Sequence, residues 1–238
     1  MLYALVTGCD HGLGPALARG LLRRGFTVLA CRLNPDEHEI EALSRDFPDT
    51  CHVLEVDIGK DASVEELKEE AAKRVPCLDL LVNCAGILGV MEDGPGEPLD
   101  YDLMAEVINV NALGALRMTA ALLPMVERSQ LRTVVNISSE AGSIRDCERT
   151  GWFGYCMSKA ANNMQGALIH NTMRLKGGQV IQMHPGHVAT YMRGHLDTTA
   201  RLTPEASAQR VLQTVLDREL PVRDRPLYLD DSGKELPW

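Results

Sequence analysis

Leu2-Tyr3-Ala4-Leu5-Val6-Thr7-Gly8-Cys9-Asp10-His11-Gly12-Leu13-Gly14 opens the chain with an apolar run, a glycine-rich turn and the start of a helical pattern. Tyr3 to Thr7 reads as a strand and Gly14 to Arg24 as a helix, so the glycines fall where a strand hands over to a helix. Glycine lets the backbone turn tightly and lets a ligand approach without a Cβ in the way. The helix beyond offers free N–H groups and a positive dipole end, a natural seat for a pyrophosphate. The spacing is G-x-x-x-G-x-G rather than the commoner G-x-G-x-x-G. A purely structural turn would look the same, so the weight of this segment depends on the pattern it begins.

That pattern is an alternation. Strand-like runs recur at Thr27 to Cys31, His52 to Val56, Leu78 to Val82, Thr133 to Ile137, Gln179 to Met183 and Leu227 to Leu229. Helical patterns lie between them at Asp36 to Asp46, Ala62 to Arg74, Tyr101 to Arg128, Tyr155 to Arg174 and Pro204 to Asp217. Pro204 suits a first helical turn, with Thr203 as its cap. Strands alternating with helices predict βαβ units and a parallel sheet covered on both faces. The internal strands are apolar on both sides, as such burial requires. No repeat, low-complexity tract or linker divides the sequence, so residues 1–238 are expected to form one domain.

The chain is 238 residues long, 45% hydrophobic, and carries 24 Lys+Arg against 33 Asp+Glu, a net charge of −9. An acidic chain without a basic run argues against nucleic acid or an anionic membrane as partner. No run of consecutive apolar residues approaches the roughly 18 needed to span a bilayer. Seven cysteines are scattered without C-x-x-C spacing, which argues against a disulfide framework or a zinc site. His184 and His187 bracket Pro185-Gly186 but belong to no Cys/His cluster, so no metal is expected. With no charged leader ahead of the first strand, the expectation is a soluble, reduced, cytoplasmic protein.

The chemistry is concentrated in Tyr155-Cys156-Met157-Ser158-Lys159, with Asn136-Ile137-Ser138-Ser139 upstream. Residues four apart on a helix share a face. A phenol normally holds its proton to a pKa of about 10. A fixed ammonium beside it stabilises the phenolate and brings that value toward working pH. The pair is then suited to moving a proton on and off an oxygen.

Thr7-Gly8-x-x-x-Gly12-x-Gly14, Asn83-Cys84-Ala85-Gly86, Asn111, Ser139, Tyr155-x-x-x-Lys159 and Pro185-Gly186-x-Val188-x-Thr190 occur in the order seen in the short-chain dehydrogenase/reductase family, and the resemblance covers nearly the full length. The tyrosine segment and the closing Asp230 to Trp238 look most like the subgroup that contains the insect carbonyl reductase Sniffer and the bacterial C-factor proteins. The resemblance implies a single-domain Rossmann α/β fold, doubly wound, with a mostly parallel seven-stranded sheet in the order 3-2-1-4-5-6-7 and helices on both faces.

It also implies a nicotinamide cofactor, held by Gly8, Asp10, His11, Gly12, Leu13 and Gly14 at the first turn. In such a fold the end of the second strand meets the adenosine ribose. Here Arg32 stands where a carboxylate would accept from a 2′-OH, and its planar donor fork suits phosphate. NADP(H) is therefore expected in preference to NAD, although Asp10-His11 and Asp36-Glu37 are close by. Asp57-Ile58 resembles the pair that frames the adenine. Asn83, Ala85 and Gly86 resemble a loop along which the cofactor passes, with Cys84 replacing an asparagine. Pro185, Gly186, Val188 and Thr190 resemble the segment that holds the nicotinamide carboxamide.

For carbonyl reduction the resemblance makes Tyr155 the proton donor. Lys159 lowers its pKa and bonds the nicotinamide ribose. Ser139 hydrogen-bonds the reacting oxygen, the logic of an oxyanion hole. Ser139 is preferred to Ser138 because the family places the catalytic serine second. Asn111 resembles the asparagine that anchors a water on the way to the lysine. The interval from Ser139 to Tyr155 is 16 positions, longer than is common in the family. The excess falls in residues 145–152, read as a surface loop beside the substrate mouth, where Trp152 either covers the substrate or packs. Residues 190–203 are expected to form a short lid over an open cleft. The expected partner is a small carbonyl or alcohol, and the family's habit is a homodimer or homotetramer. Two other readings remain: an NAD(P)-dependent alcohol dehydrogenase working oxidatively, and a non-enzymatic dinucleotide sensor.

Overall fold

Alternate side chains along each inner strand feed two different cores, and in the computed structural model this alternation builds one sheet. The structure describes residues 1–36, 39–92, 94–96, 98–218 and 220–238. The strands are β1 (Leu2–Val6), β2 (Phe26–Arg32), β3 (Cys51–Glu55), β4 (Leu80–Asn83), β5 (Thr133–Ile137), β6 (Gln179–Met183) and β7 (Leu227–Leu229). Their order is β3-β2-β1-β4-β5-β6-β7, with every neighbouring pair parallel. The strand order is the expected one, and the sheet is wholly parallel rather than mostly so.

The helices are α1 (Leu13–Arg23), α2 (Glu39–Asp46), α3 (Asp61–Arg74), α4 (Tyr101–Ile108), α5 (Ala115–Glu127), α6 (Phe153–Met173) and α7 (Pro204–Leu216). Ala4, Val6, Val28, Ala30, Leu80 and Val82 pack with Leu17 and Leu21 of α1 and Val211 and Leu212 of α7. The intervening Leu5, Leu29, Leu81, Val134 and Val180 face Leu67 of α3 and Met118 and Leu122 of α5 on the opposite side. Burial on both faces makes the period-2 signal disappear from these strands, which is why they read as continuous apolar runs.

One helix cannot be compared in full with its expected span, and another differs in character from it. The expected start of α2 at Asp36 cannot be compared, because residues 37 and 38 lie outside the described residues. The single helix expected from Tyr101 to Arg128 is broken in character by a π-helical turn, Asn109–Gly114. There the Asn111 amide leaves the helix surface and bonds the backbone of Ile87, donating to its carbonyl and accepting from its N–H, each at 2.8 Å. Such turns are frequent at functional sites.

The continuous helical stretch Tyr101–Glu127 is long and apolar enough to cross a membrane by length and composition, with a window of mean hydropathy 1.3. The expectation that no segment approaches this came from counting consecutive apolar residues. Asn109, Asn111 and Arg117 interrupt the run without lowering its average far. Of that window, 44% is buried inside the molecule, and α5 packs against α3 and α6.

Because all strands run the same way, the loops that follow β1, β2, β3, β4, β5 and β6 emerge at one edge. Open α/β sheets bind ligands at that carboxyl edge.

Candidate active site at the carboxyl edge of the sheet

The glycine turn closes against the loop after β4. Gly8 has φ +72°, and a Cβ there would meet Ala85 Cα at 2.7 Å. A Cβ on Gly14 would fall 2.0 Å from the Gly8 carbonyl oxygen. Thr7 Oγ1 locks the two loops together by accepting from the Cys84 and Ala85 amides at 3.0 and 3.1 Å. At α1 the N-cap Gly12 offers no side-chain cap, and the first turn holds no acidic residue. Its amides are left for an external anion. One is already used that way: Gly12 N donates to a Glu39 carboxylate oxygen at 3.2 Å. These features fit the phosphates of a dinucleotide.

Around the expected ribose position the charges are mixed. Arg32 is mostly buried, 3.4 Å from Glu55 and 3.7 Å from Glu41. Asp10 accepts from the Leu33 and Asn34 amides at 2.9 and 2.7 Å, fixing the loop after β2. The His11 ring meets the Tyr191 ring edge-on at 6.1 Å. Asp57 is turned into its own loop, accepting from Gly59 N at 2.9 Å and pairing with Lys60 at 2.8 Å. The Lys60 bond holds its carboxyl below the usual range. Ile58 and Leu13 are buried.

Asn83 does not face the cleft. Its amide donates to Thr119 Oγ1 at 2.9 Å and to Asn136 Oδ1 at 2.8 Å, inside the sheet. Ala85 and Gly86 do line the edge; a Cβ on Gly86 would lie 3.1 Å from Asn111 Oδ1 and 3.7 Å from Lys159 Nζ. Thr190 lies against Gly12, bringing the segment after β6 onto the glycine turn. Pro185 carbonyl accepts from Ser207 Oγ at 2.7 Å, and Gly186 has φ +81°. Residues 190–203 form a loop whose ends are joined: Val188 bridges Leu202, and Ala189 N donates to Leu202 O at 2.9 Å. Inside it Asp197 contacts His187 at 2.9 Å and Arg193 at 3.4 Å.

Ser139, Tyr155, Lys159 and Asn111 are all buried. The two serines diverge: Ser138 Oγ donates to Asn163 Oδ1 at 2.7 Å, whereas the Ser139 hydroxyl donates to Glu140 Oε2 at 2.9 Å and eases ionisation of the Tyr155 phenol. Lys159 Nζ donates to the Ile137 carbonyl at 2.9 Å and lies 5.5 Å from the Tyr155 ring centroid. The ammonium therefore lies over the tyrosine ring. Burial pushes the phenol pKa above its ordinary value, and Ser139 offsets only part of that. Burial also brings Lys159 down to about 8. The lowering of the tyrosine that the lysine is expected to give does not outweigh burial. Desolvation of both groups outweighs their mutual effect.

Three further residues belong to the site. Glu140, directly after Ser139, accepts from the Ser139 hydroxyl at 2.9 Å and pairs with Arg149. His184 Nδ1 lies 3.2 Å from the same carboxylate. Tyr228, buried in β7, donates to the Ser139 carbonyl. The loop 145–152 lies beside the site, where Glu148, Arg149 and Trp152 line a cleft of about 520 Å³ with Met91 and Glu92. Trp152 has φ +65° and its ring stands edge-on to Tyr155 at 6.0 Å. Sequence reading had only the excess length of the interval as a signal for Arg149, and none for Glu140. Among the described residues no group of three or more His, Cys, Asp or Glu could hold a metal.

The sequence profile of the short chain dehydrogenase family matches residues 2–201. The chain belongs to the short-chain dehydrogenase/reductase family. It is therefore placed among oxidoreductases by descent as well as by architecture. A crystal structure of NADPH-bound carbonyl reductase from chicken fatty liver is 28% identical, covers 99% of this chain and 98% of its own, and superposes with a TM-score of 0.88. The carbonyl reductase Sniffer of D. melanogaster shares the fold over 100% of both chains with a TM-score of 0.89, at 24% identity. A 1-hydroxy-2-glutathionyl-2-methyl-3-butene dehydrogenase of Rhodococcus sp. is 31% identical over 90% of this chain and 91% of its own length. The C-signal protein of Myxococcus xanthus is 35% identical over 68% of this chain and 93% of its own length. Several mammalian relatives are longer, and the chain spans 52%, 57% and 62% of three of them.

Proposed function

We propose that this short-chain dehydrogenase/reductase is an NADPH-dependent reductase of small ketones and aldehydes. The observation that carries the reading is the grouping of buried Ser139, Tyr155 and Lys159 at the same sheet edge as the glycine turn, with Lys159 packed beneath the tyrosine ring. When bound, the nicotinamide dinucleotide supplies the hydride. Tyr155 gives its proton to the carbonyl oxygen, and Ser139 stabilises the charge that develops on that oxygen. Lys159 holds a positive charge under the phenol and is the group that meets the nicotinamide ribose. Asn111 stands across Gly86 from Lys159 and anchors the route by which a proton returns.

Arg32 supports NADPH over NADH, and the NADPH bound to the 28%-identical chicken carbonyl reductase agrees with it. The free cysteines, none of them disulfide-linked, suit a reduced, cytoplasmic setting. A dimer or tetramer built through the long helices is part of the same reading. Oxidation of an alcohol is the second reading, favoured by the Rhodococcus relative's name. The test is NADPH oxidation against a carbonyl panel, wild type beside Tyr155→Phe. The variant is expected to lose at least about 100-fold in kcat. Equal turnover in the two proteins would remove Tyr155 as the acid, and dinucleotide binding with no oxidation in either would favour a sensor without chemistry.

A further inference from the structure

A closed circuit of contacts links the loop 145–152 to both hydroxyls of the site. The Ser139 hydroxyl donates to Glu140 Oε2 at 2.9 Å, and Glu140 Oε1 pairs with the Arg149 guanidinium. Arg149 lies 5.1 Å from the centroid of Trp152, and Trp152 stands edge-on to Tyr155 at 6.0 Å. Ser139 acts in turn on the Tyr155 phenol and eases its ionisation. An ionised carboxylate only accepts. The Ser139 proton is therefore directed at Glu140.

We propose that Glu140 and Arg149 are a paired positioning device for the proton-transfer site: Glu140 orients the Ser139 hydroxyl and sets the field on Tyr155, and Arg149 balances that field. This rests on the assignment of Ser139 and Tyr155 as the reacting hydroxyls. Glu140 is the anion bonded to Ser139, and Arg149 is the cation that the long Ser139–Tyr155 interval delivers to it. In the absence of Arg149 the carboxylate faces the phenol uncompensated. In the absence of Glu140 the serine proton is free to turn toward a carbonyl oxygen, and the phenolate is no longer opposed.

The groups facing this point are few. Lys159 lies under the Tyr155 ring, and Cys156 adjoins it. From the segment after β6, His184 touches Glu140, with Asp230 and Asp231 behind it. Burial keeps the His184 imidazole below its ordinary pKa, so at neutral pH Arg149 is the fixed positive partner. Burial opposes the Glu140 charge, but His184, Ser139 and Arg149 together hold its carboxyl below the usual range. It is an anion throughout the working range.

The device predicts opposite effects from its two halves. During reduction Tyr155 must carry its proton, so kcat falls as pH rises past its apparent pKa. Glu140→Gln removes a negative charge, eases ionisation and moves that alkaline limb toward acid by about one pH unit. Arg149→Met removes the balancing cation and moves it toward alkali by a similar amount, and Arg149→Lys restores the wild-type position. A carbon-13 label on the tyrosine ring ζ carbon, assigned by loss of its signal in Tyr155→Phe, follows the same ionisation without substrate or cofactor. Opposite shifts by Glu140→Gln and Arg149→Met in that resonance support the device even if no carbonyl is reduced, an outcome that would defeat only the reductase reading. Shifts of the same sign, or none, in variants with native circular dichroism overturn the device and leave the reductase reading standing.

Discussion

Lys159 is the most exposed to contradiction of the side chains in this site, because its charge is buried. Its ammonium has one hydrogen bond, to Ile137 O at 2.9 Å, and burial lowers its pKa to about 8 against an ordinary 10.5. Between those two values the unfolded chain binds more protons at this residue than the folded one does. Stability from this group therefore rises as pH climbs from about 8 to 10.5, and below 8 the full penalty applies. Replacing it with methionine is expected to stabilise the cofactor-free protein at pH 7 and to abolish turnover. Urea unfolding of wild type and Lys159→Met at neutral and at alkaline pH measures this; the gap between them should close at the alkaline end. The ribose end makes a second prediction. Arg32 is held by Glu41 and Glu55, so part of its charge is spent before any phosphate arrives. Arg32→Asp should lower the NADPH-over-NADH affinity ratio by about tenfold or more, and Glu55→Gln should raise it several-fold. Fluorescence titration with each cofactor reads both; an unchanged ratio in Arg32→Asp would remove this residue from the discrimination.

At the level of elements, the site is made by loops tied to one another rather than by loops that merely end nearby. Thr7 Oγ1 receives two amides from the β4 loop, so a single hydroxyl sets the distance between the glycine turn and Ala85. Thr7→Val keeps the shape and strands both amides. It should cost about 2 kcal/mol of folding free energy and weaken dinucleotide binding; denaturation and cofactor titration of the same variant check the two halves. The alternation of strand and helix was legible in the sequence because its periods are local, and Tyr155 and Lys159 share a face because they are four apart. Asn83 was harder. Its neighbours Ala85 and Gly86 do line the cleft, but the sheet register sets Asn83 opposite Asn136 and Asn136 opposite Gln182. That row of amides is a long-range fact with no trace in a four-residue motif. Glu140 was illegible for the same reason: its partners come from a loop nine residues on and from the end of β6.

Across the whole molecule, a wholly parallel sheet does one thing that no single element can, which is to deliver six loops to one rim. The two cores beneath them are separate, so the rim rests on a support braced from both sides. The segment 190–203 sits differently on that support. Its two ends are fastened to each other through Val188, Ala189 and Leu202, and its interior is gathered on Asp197. We propose that this loop, closed at its base, is the lid over the cleft and moves as a unit. It is also a self-contained cassette, so its residues can be exchanged to suit a differently shaped guest while the strands and the proton-transfer hydroxyls keep their positions.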